Sequence, residues 1–307
     1  MQMKIIITDK LAEVGVNKFK EAGFEVEEDF ETKGADLAAK MKENKYDAIV
    51  VRSGTQVTKE VIDGAEGLKV IGRAGAGLDN VDQVAAKAKG ITVMNSPGGN
   101  TISAAEHTCA LILAICRHVP QAYKSMTEER WDRKKYKGTE LYEKTLGIIG
   151  LGKIGQEVAK RMKAFEMNII AYDPFASEET FDLIGAKKVD FDLLLKESDF
   201  ITVHVPKNEK TIGLLNAAAF EKMKDSVRII NVARGGIVDE KELFEALKAG
   251  KVAGAAIDVY EKEPTEFWDL LKLENVVHTP HLGASTKEAQ IRCGAEIADK
   301  VIAELKG

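Results

Sequence analysis

The chain has 307 residues, 45% hydrophobic and 30% charged, with a formal net charge of −5. That length suits about two domains, and the composition is that of a folded chain with a sizeable core. The acidic balance argues against nucleic acid or an anionic membrane surface as the main partner, and no apolar run approaches a membrane span.

Met3 to Thr8 reads as a first strand rather than a signal peptide. Cys109, Cys116 and Cys293 have neither metal nor disulfide spacing, so buried thiols and a cytoplasmic location are expected. Strands are predicted at 5–8, 47–51, 69–72 and 91–95, with helices between, a compact α/β unit. The breaker cluster 95–100 marks a domain crossing. A helix follows, capped by Asn100 or Ser103 and running to about His118. It is apolar on nearly all sides, so burial between domains or subunits is expected.

Six further strands are predicted at 146–149, 168–172, 200–205, 227–232, 253–259 and 276–279, with helices between, as in a doubly wound parallel sheet. A last helix, 286–305, carries an apolar face of Ala289, Ile291, Ala295, Ala298, Ile302 and Leu305. Since the six-stranded sheet is complete without it, this helix is expected to return to the first domain. The predicted architecture is therefore a nucleotide-binding domain over 98–283, inserted into a substrate domain made of 1–97 and 284–307.

The most specific motif is Gly150-Leu151-Gly152-Lys153-Ile154-Gly155, between a predicted strand and a helix expected over 156–165. The first Gly permits the tight turn, the second lets backbone amides approach a pyrophosphate, and the third packs helix against strand. The helix N-terminus supplies unpaired N–H groups and partial positive charge. Asp173 ends the next strand, where it can accept hydrogen bonds from ribose hydroxyls and repel a 2′-phosphate. NAD is the expected cofactor.

Ligands of open α/β sheets bind beyond the carboxyl ends of the strands. On that rim lie Val205-Pro206, Val232-Ala233-Arg234, Asp258, Glu263, His281 and Gly283-Ala284, and all of these except Glu263 are expected at the cofactor. The set suits oxidation of a 2-hydroxy acid. His281 takes the hydroxyl proton. Glu263 fixes its tautomer, Arg234 forks onto the substrate carboxylate and 2-oxygen, and Asp258 orients the nicotinamide carboxamide. His204 and His278 are read as packed or hydrogen-bonded within strands, and His107 as structural. No metal is expected, because no His, Cys and carboxylate grouping has ligand spacing.

At these residues the chain resembles the D-2-hydroxyacid dehydrogenase family over nearly its whole length, nearest to the members that act on 3-phosphoglycerate. The resemblance rests on Val51 to Ser53, Gly72 to Asp82, Asn95 to Asn100, the glycine fingerprint, Asn231 to Gly236, Asp258 to Pro264 and Thr279 to Ala284. It implies a Rossmann domain inserted in a flavodoxin-like substrate domain, and a catalytic triad of Arg234, Glu263 and His281. It also implies a substrate site including Ser53, Asn100 and the backbone amides of Gly75, Ala76 and Gly77. Arg52 and Arg73, at the ends of two first-domain strands, resemble the family's phosphate-reading arginines. Arg133, in Trp131-Asp132-Arg133, resembles a residue that reaches a neighbouring subunit's site. Ala76 and Val205 stand where relatives have Thr, so those hydroxyl contacts are not expected.

The resulting expectation is NAD-dependent oxidation of D-3-phosphoglycerate by a homodimer joined through the nucleotide-binding domain, with no serine-binding regulatory domain in the chain. The alternatives are a glyoxylate or hydroxypyruvate reductase and, in a different class, an NAD-dependent corepressor-like binding protein.

Overall fold

The computed structural model describes residues 2–307. The chain divides into two compact units, one running to Thr101 and resuming over Ala284–Gly307, the other being Ile102–Gly283.

The first unit contains β1 (Lys4–Ile7), α1 (Glu13–Glu21), β2 (Glu25–Glu28), α2 (Gly34–Glu43), β3 (Ala48–Val51), α3 (Lys59–Gly64), β4 (Val70–Arg73), α4 (Gln83–Ala88) and β5 (Thr92–Asn95). Its strands are all parallel, in the order β2-β1-β3-β4-β5, the flavodoxin-like arrangement. Alternate residues fill two cores. Ile6, Ile49, Val51 and Ile71 face residues of α2 and α3. Ile5, Ile7, Ala48, Val50 and Val70 pack with Phe19 of α1 and with the final helix. β2, Glu-Val-Glu-Glu, was not among the predicted strands; it is an edge whose charged side chains carry no apolar signal.

The second unit starts within α5 (Thr101–Arg117) and continues with α6 (Val119–Thr127), β6 (Thr145–Ile149), α7 (Lys153–Lys163), β7 (Asn168–Tyr172), α8 (Glu178–Ile184), β8 (Lys187–Lys188) and α9 (Phe191–Glu197). There follow β9 (Phe200–Val203), α10 (Ala217–Glu221), β10 (Arg228–Asn231), α11 (Glu240–Lys248), β11 (Gly254–Ile257), α12 (Trp268–Leu271) and β12 (Val276–His278). The parallel sheet runs β12-β11-β10-β9-β6-β7-β8, a Rossmann order with one added edge. It has seven strands where six were predicted, because β8 is a two-residue, exposed Lys-Lys edge. Ile149, Ile201, Val203 and Ala255 face α9, α10 and α11 on one side. Leu146, Ile148, Phe200 and Ile230 face α5, α7 and α8 on the other.

Three expectations about helices change. Ser103 lies inside α5, in its first turn, so it is not the N-cap. Ala105, Cys109, Ile112, Ile115 and Cys116, on one side of α5, fill the second unit's own core, while Ile102 and Ala110 remain exposed. His118 then adopts a left-handed backbone, and α6 starts after it in a new direction. α7 begins at Lys153 rather than 156, since Gly155 is already helical.

The last helix, α13 (Lys287–Lys306), is capped by Thr286 and packs in the first unit. Its buried face is Ala289, Cys293, Gly294, Ile297, Ala298 and Val301, while Ile291 is half exposed. Close approach selects that face: a Cβ on Gly15 of α1 would stand 2.7 Å from the Gly294 carbonyl oxygen. All three cysteines are buried and unpaired. Among the described residues no single helix is long and apolar enough to cross a membrane.

Candidate active site

The glycine fingerprint turns from β6 into α7 at the topological switch point, where β6 lies between β9 and β7. Gly150 has φ +94°, and a Cβ there would stand 2.7 Å from the His204 carbonyl oxygen. Gly155 has no room either: its Cβ would meet the Gly150 carbonyl oxygen at 2.2 Å. Gly152, between them, meets nothing within 4 Å on its Cβ side and caps α7 without a side-chain acceptor. The two outer glycines therefore serve packing, and the middle one leaves helix N–H groups open to a phosphate. Asp173, just past β7, accepts from the Leu151 amide (2.8 Å) and from the amides of Phe175 (2.8 Å) and Ala176 (3.2 Å). This fastens the acid beside the glycine turn. Val205 packs against Gly150 through its methyl group, and Pro206 is exposed. His204 bonds Thr202 through Nε2 at 3.0 Å, and burial pushes its pKa down to about 4.

The second cluster of polar groups lies beyond β10, β11 and β12, neighbours in the same sheet. His281 Nδ1 is 2.7 Å from Glu263 Oε2. With the carboxylate as acceptor Nδ1 carries the proton, and Nε2 is the atom that can exchange one. The other Glu263 oxygen accepts from the Tyr260 amide at 3.1 Å. Burial alone would raise the Glu263 carboxyl, but the bonds from His281 and Tyr260 outweigh it and hold the group below its usual range. Tyr260 in turn donates its hydroxyl to the Thr279 carbonyl at 2.9 Å, tying this loop to the turn that carries His281.

Arg234 is half-buried, and its Nη1 donates to the Ala233 carbonyl at 2.7 Å. Asn231, at the end of β10, accepts from the Ala233 amide (3.1 Å) and donates to the Arg234 carbonyl (2.9 Å), so one side chain shapes the loop through Val232. Gly235 presses that loop onto the next: a Cβ there would lie 1.7 Å from the Tyr260 carbonyl oxygen.

Asp258 is fully buried. One of its oxygens accepts from the Thr279 hydroxyl (2.5 Å) and the Leu282 amide (2.7 Å), the other from the Gly283 amide (2.8 Å). The Thr279 hydroxyl has one proton and gives it to Asp258, so His107 Nε2, 2.9 Å away, is the donor to Thr279. Burial would raise the Asp258 carboxyl; the His107 ring, whose Nε2 also lies 3.3 Å from Asp258 Oδ1, and the bonds from Thr279, Leu282 and Gly283 hold it low instead. Asp258 is therefore the clamp of the 279–283 turn, an occupation the sequence reading did not foresee. Asn231, Tyr260 and Thr279 were given no role of their own, although Asn231 ends one apolar strand and Thr279 follows another, positions that could have flagged them.

In the first unit, Arg73 pairs in register with Val51, so Arg52 and Arg73 emerge from adjacent strand ends. Asp9 accepts from the Arg52 amide at 2.7 Å, and the buried Asn80 side chain donates to the Arg52 carbonyl at 2.7 Å. Gly75 has φ +148°, and a Cβ on it would strike the Arg73 guanidinium. The Ala76 and Gly77 amides donate to no group among the described residues. Asn100 Oδ1 is buried without a partner. Ser53 and Arg133 are exposed, Arg133 on the loop after α6. Ala284 opens the segment that returns to the first unit.

Residues 109–283 match the family model described as D-isomer specific 2-hydroxyacid dehydrogenase, NAD binding domain. Over 99% of its length the chain is 55% identical to a D-3-phosphoglycerate dehydrogenase of Archaeoglobus fulgidus and 48% identical to that of Homo sapiens. It spans 58% and 57% of those two relatives, somewhat more than half of each. Among solved structures it superimposes with a TM-score of 0.89 on a glyoxylate reductase from Paecilomyes thermophila, 31% identical, covering 98% of this chain and 94% of that one. With D-lactate dehydrogenase from Escherichia coli the TM-score is 0.85 at 29% identity, covering 99% and 97%.

Proposed function

The chain belongs to the D-isomer specific 2-hydroxyacid dehydrogenase family and carries that family's NAD-binding domain, and from this premise we propose that it oxidises D-3-phosphoglycerate to 3-phosphohydroxypyruvate, the first step of serine synthesis. The observation that carries the chemistry is the 2.7 Å bond between His281 and Glu263 on the strand-end rim of the nucleotide-binding unit. The middle glycine, open on its Cβ side, and the uncapped start of α7 fit a dinucleotide pyrophosphate, with Asp173 fastened beside them for the ribose.

When bound, NAD supplies the hydride acceptor for C2 of the hydroxy acid. His281 Nε2 removes the hydroxyl proton in oxidation and returns it in reduction. Glu263 keeps the ring in that tautomer and stabilises its charged form. Arg234 grips the carboxylate and the 2-oxygen with its planar fork. Asp258 acts by holding the backbone that presents His281. In the first unit the unpaired Ala76 and Gly77 amides suit a carboxylate, the Asn100 oxygen suits a hydroxyl donor, and Arg52 and Arg73 suit a phosphate.

The assembly proposed is a homodimer through the nucleotide-binding unit, in the cytoplasm, the compartment that three unpaired thiols suit. The exposed stripe Val119, Tyr123 and Met126 on one face of α6 supports the dimer, with Trp131 beyond it. Arg133, exposed two residues after Trp131, is the proposed contribution to the neighbouring subunit.

A substrate panel tests the reading. With NADH, phosphohydroxypyruvate is expected to turn over faster than hydroxypyruvate or glyoxylate, and Arg52→Gln and Arg73→Gln to raise KM about tenfold or more for the phosphorylated acid alone. Equal effects on all three acids would move the assignment to glyoxylate or hydroxypyruvate reduction, which the likeness to the Paecilomyes thermophila glyoxylate reductase favours second. No turnover of any 2-oxo acid would favour a corepressor-like binding role.

A further inference from the structure

Behind the Glu263 loop lies an acid that the proposed chemistry does not use. Glu240 is the first residue of α11, and only 7% of it is exposed. It is not the helix cap, because Asp239 fills that role by accepting from the amides of Lys241 and Glu242. Glu240 Oε1 instead accepts from the backbone amide of Glu261 at 2.5 Å. Glu261 returns the bond: its Oε1 accepts from the Glu240 amide at 3.1 Å. The start of α11 and the 260–263 loop are thus pinned by two reciprocal carboxylate–amide bonds across 21 residues of sequence.

A carboxylate at this depth is costly unless it does something specific. Burial pushes the Glu240 carboxyl up, the bond from the Glu261 amide works against it, and the negative charges of Glu261, Asp239 and Glu263 leave it raised. An exposed cap residue would have satisfied the helix end at no such cost, so helix capping does not explain the group. Its one strong partner is the amide next to Tyr260. Tyr260 is where the site converges. Its amide holds Glu263, its carbonyl abuts Gly235 beside Arg234, and its hydroxyl holds the Thr279 carbonyl in the turn that leads to His281.

We propose that Glu240 is a positioning residue for the dehydrogenase site, fixing the 260–263 loop so that Glu263 stays on His281 Nδ1. It acts as a hydrogen-bond acceptor and not through its charge, so a side-chain amide can replace it. The inference rests on the triad reading for its consequence in turnover, but the geometry it asserts has a readout of its own.

The test compares Glu240→Ala, Glu240→Gln and the unaltered chain. NADH binding by fluorescence and thermal melting report that each protein is folded. Glu240→Ala is expected to lower kcat about tenfold or more with KM for NADH unchanged, and Glu240→Gln to stay within about twofold of the unaltered chain. In parallel, the low-field proton NMR signal of the His281 Nδ1–H bonded to Glu263 is expected in the unaltered chain and in Glu240→Gln, and to broaden or move in Glu240→Ala. A folded Glu240→Ala protein with unchanged kcat and an unchanged signal overturns the proposal, and so does equal impairment of both variants. If Glu240→Ala does not fold, Glu240→Gln decides: a lost imidazole signal there overturns the acceptor role, and a retained signal supports it. If no 2-oxo acid turns over, the functional reading fails while the NMR comparison still judges Glu240.

Discussion

Asp258 shows how far one side chain's role depends on its surroundings. A buried carboxylate survives because each oxygen is given donors, here from Thr279, Leu282 and Gly283, with His107 behind Thr279. Its folded pKa is lowered, so its stabilisation is fully present above the unfolded value near 4 and is lost as pH falls through the depressed folded value. Asp258→Asn is therefore expected to cost about 1–3 kcal/mol at neutral pH, and to lose less stability than the unaltered chain on acidification. Melting curves taken from neutral into acid pH check both the size and the convergence of the two proteins. The same residue was legible in the sequence only as an acid at a strand end. Its donors are up to 25 residues away, and nothing local announces them.

At the scale of elements, the strand–turn–helix at 145–163 holds crowded and open glycines within one motif, and the proposed function assigns the first to packing and the second to binding. Gly155→Ala drives a Cβ into the Gly150 carbonyl oxygen, 2.2 Å away, and neither backbone can yield. Gly152→Ala adds a methyl group to open space at a helix cap, a change worth at most about 1 kcal/mol. The expected outcome is that Gly155→Ala lowers the melting temperature and abolishes NAD binding. Gly152→Ala should keep the melting temperature and weaken NAD tenfold or more, about 1.4 kcal/mol. Equal melting temperatures for the two variants would refute this division of labour. The motif itself was readable because glycine chemistry is local. The edge strands β2 and β8 were not, since Glu25 to Glu28 and Lys187-Lys188 join a sheet through backbone bonds that side-chain hydrophobicity does not report. Likewise the apolar content of α13 pointed to Ile291, whereas contact with α1 chose the face holding Cys293 and Gly294.

For the whole molecule, the chain makes one unit continuously and the other from two separated stretches. α13 is part of the first unit's core, where Ile297 and Val301 pack with Ile5, Phe19 and Val70. The proposed dimer rests on the exposed stripe of α6 rather than on α5, most of whose apolar positions pack inside the second unit. Sedimentation is expected to give twice the 33.5 kDa chain mass, and Val119→Glu with Tyr123→Glu to shift it to the monomer while the melting temperature holds. A double variant that stays dimeric would place the interface elsewhere. A monomeric unaltered chain at micromolar concentration would remove it.

By itself the sequence determined the parallel α/β class, the glycine turn with its terminal acid, and the Arg, acid and His residues that follow successive strands. Each of these is written in short spacings: apolar runs of strand length, glycines where a turn and a close approach need them, and polar residues at strand ends. Only the tertiary structure decided most of the partners. It set the His281–Glu263 pair, expected from the sequence, at 2.7 Å, and gave Asp258 to the 279–283 turn. It also set Glu240 against Glu261, and turned one face of α13 inward. The physical reason is that a hydrogen bond or a close packing contact belongs to two positions at once, and chain order specifies each position without specifying the meeting.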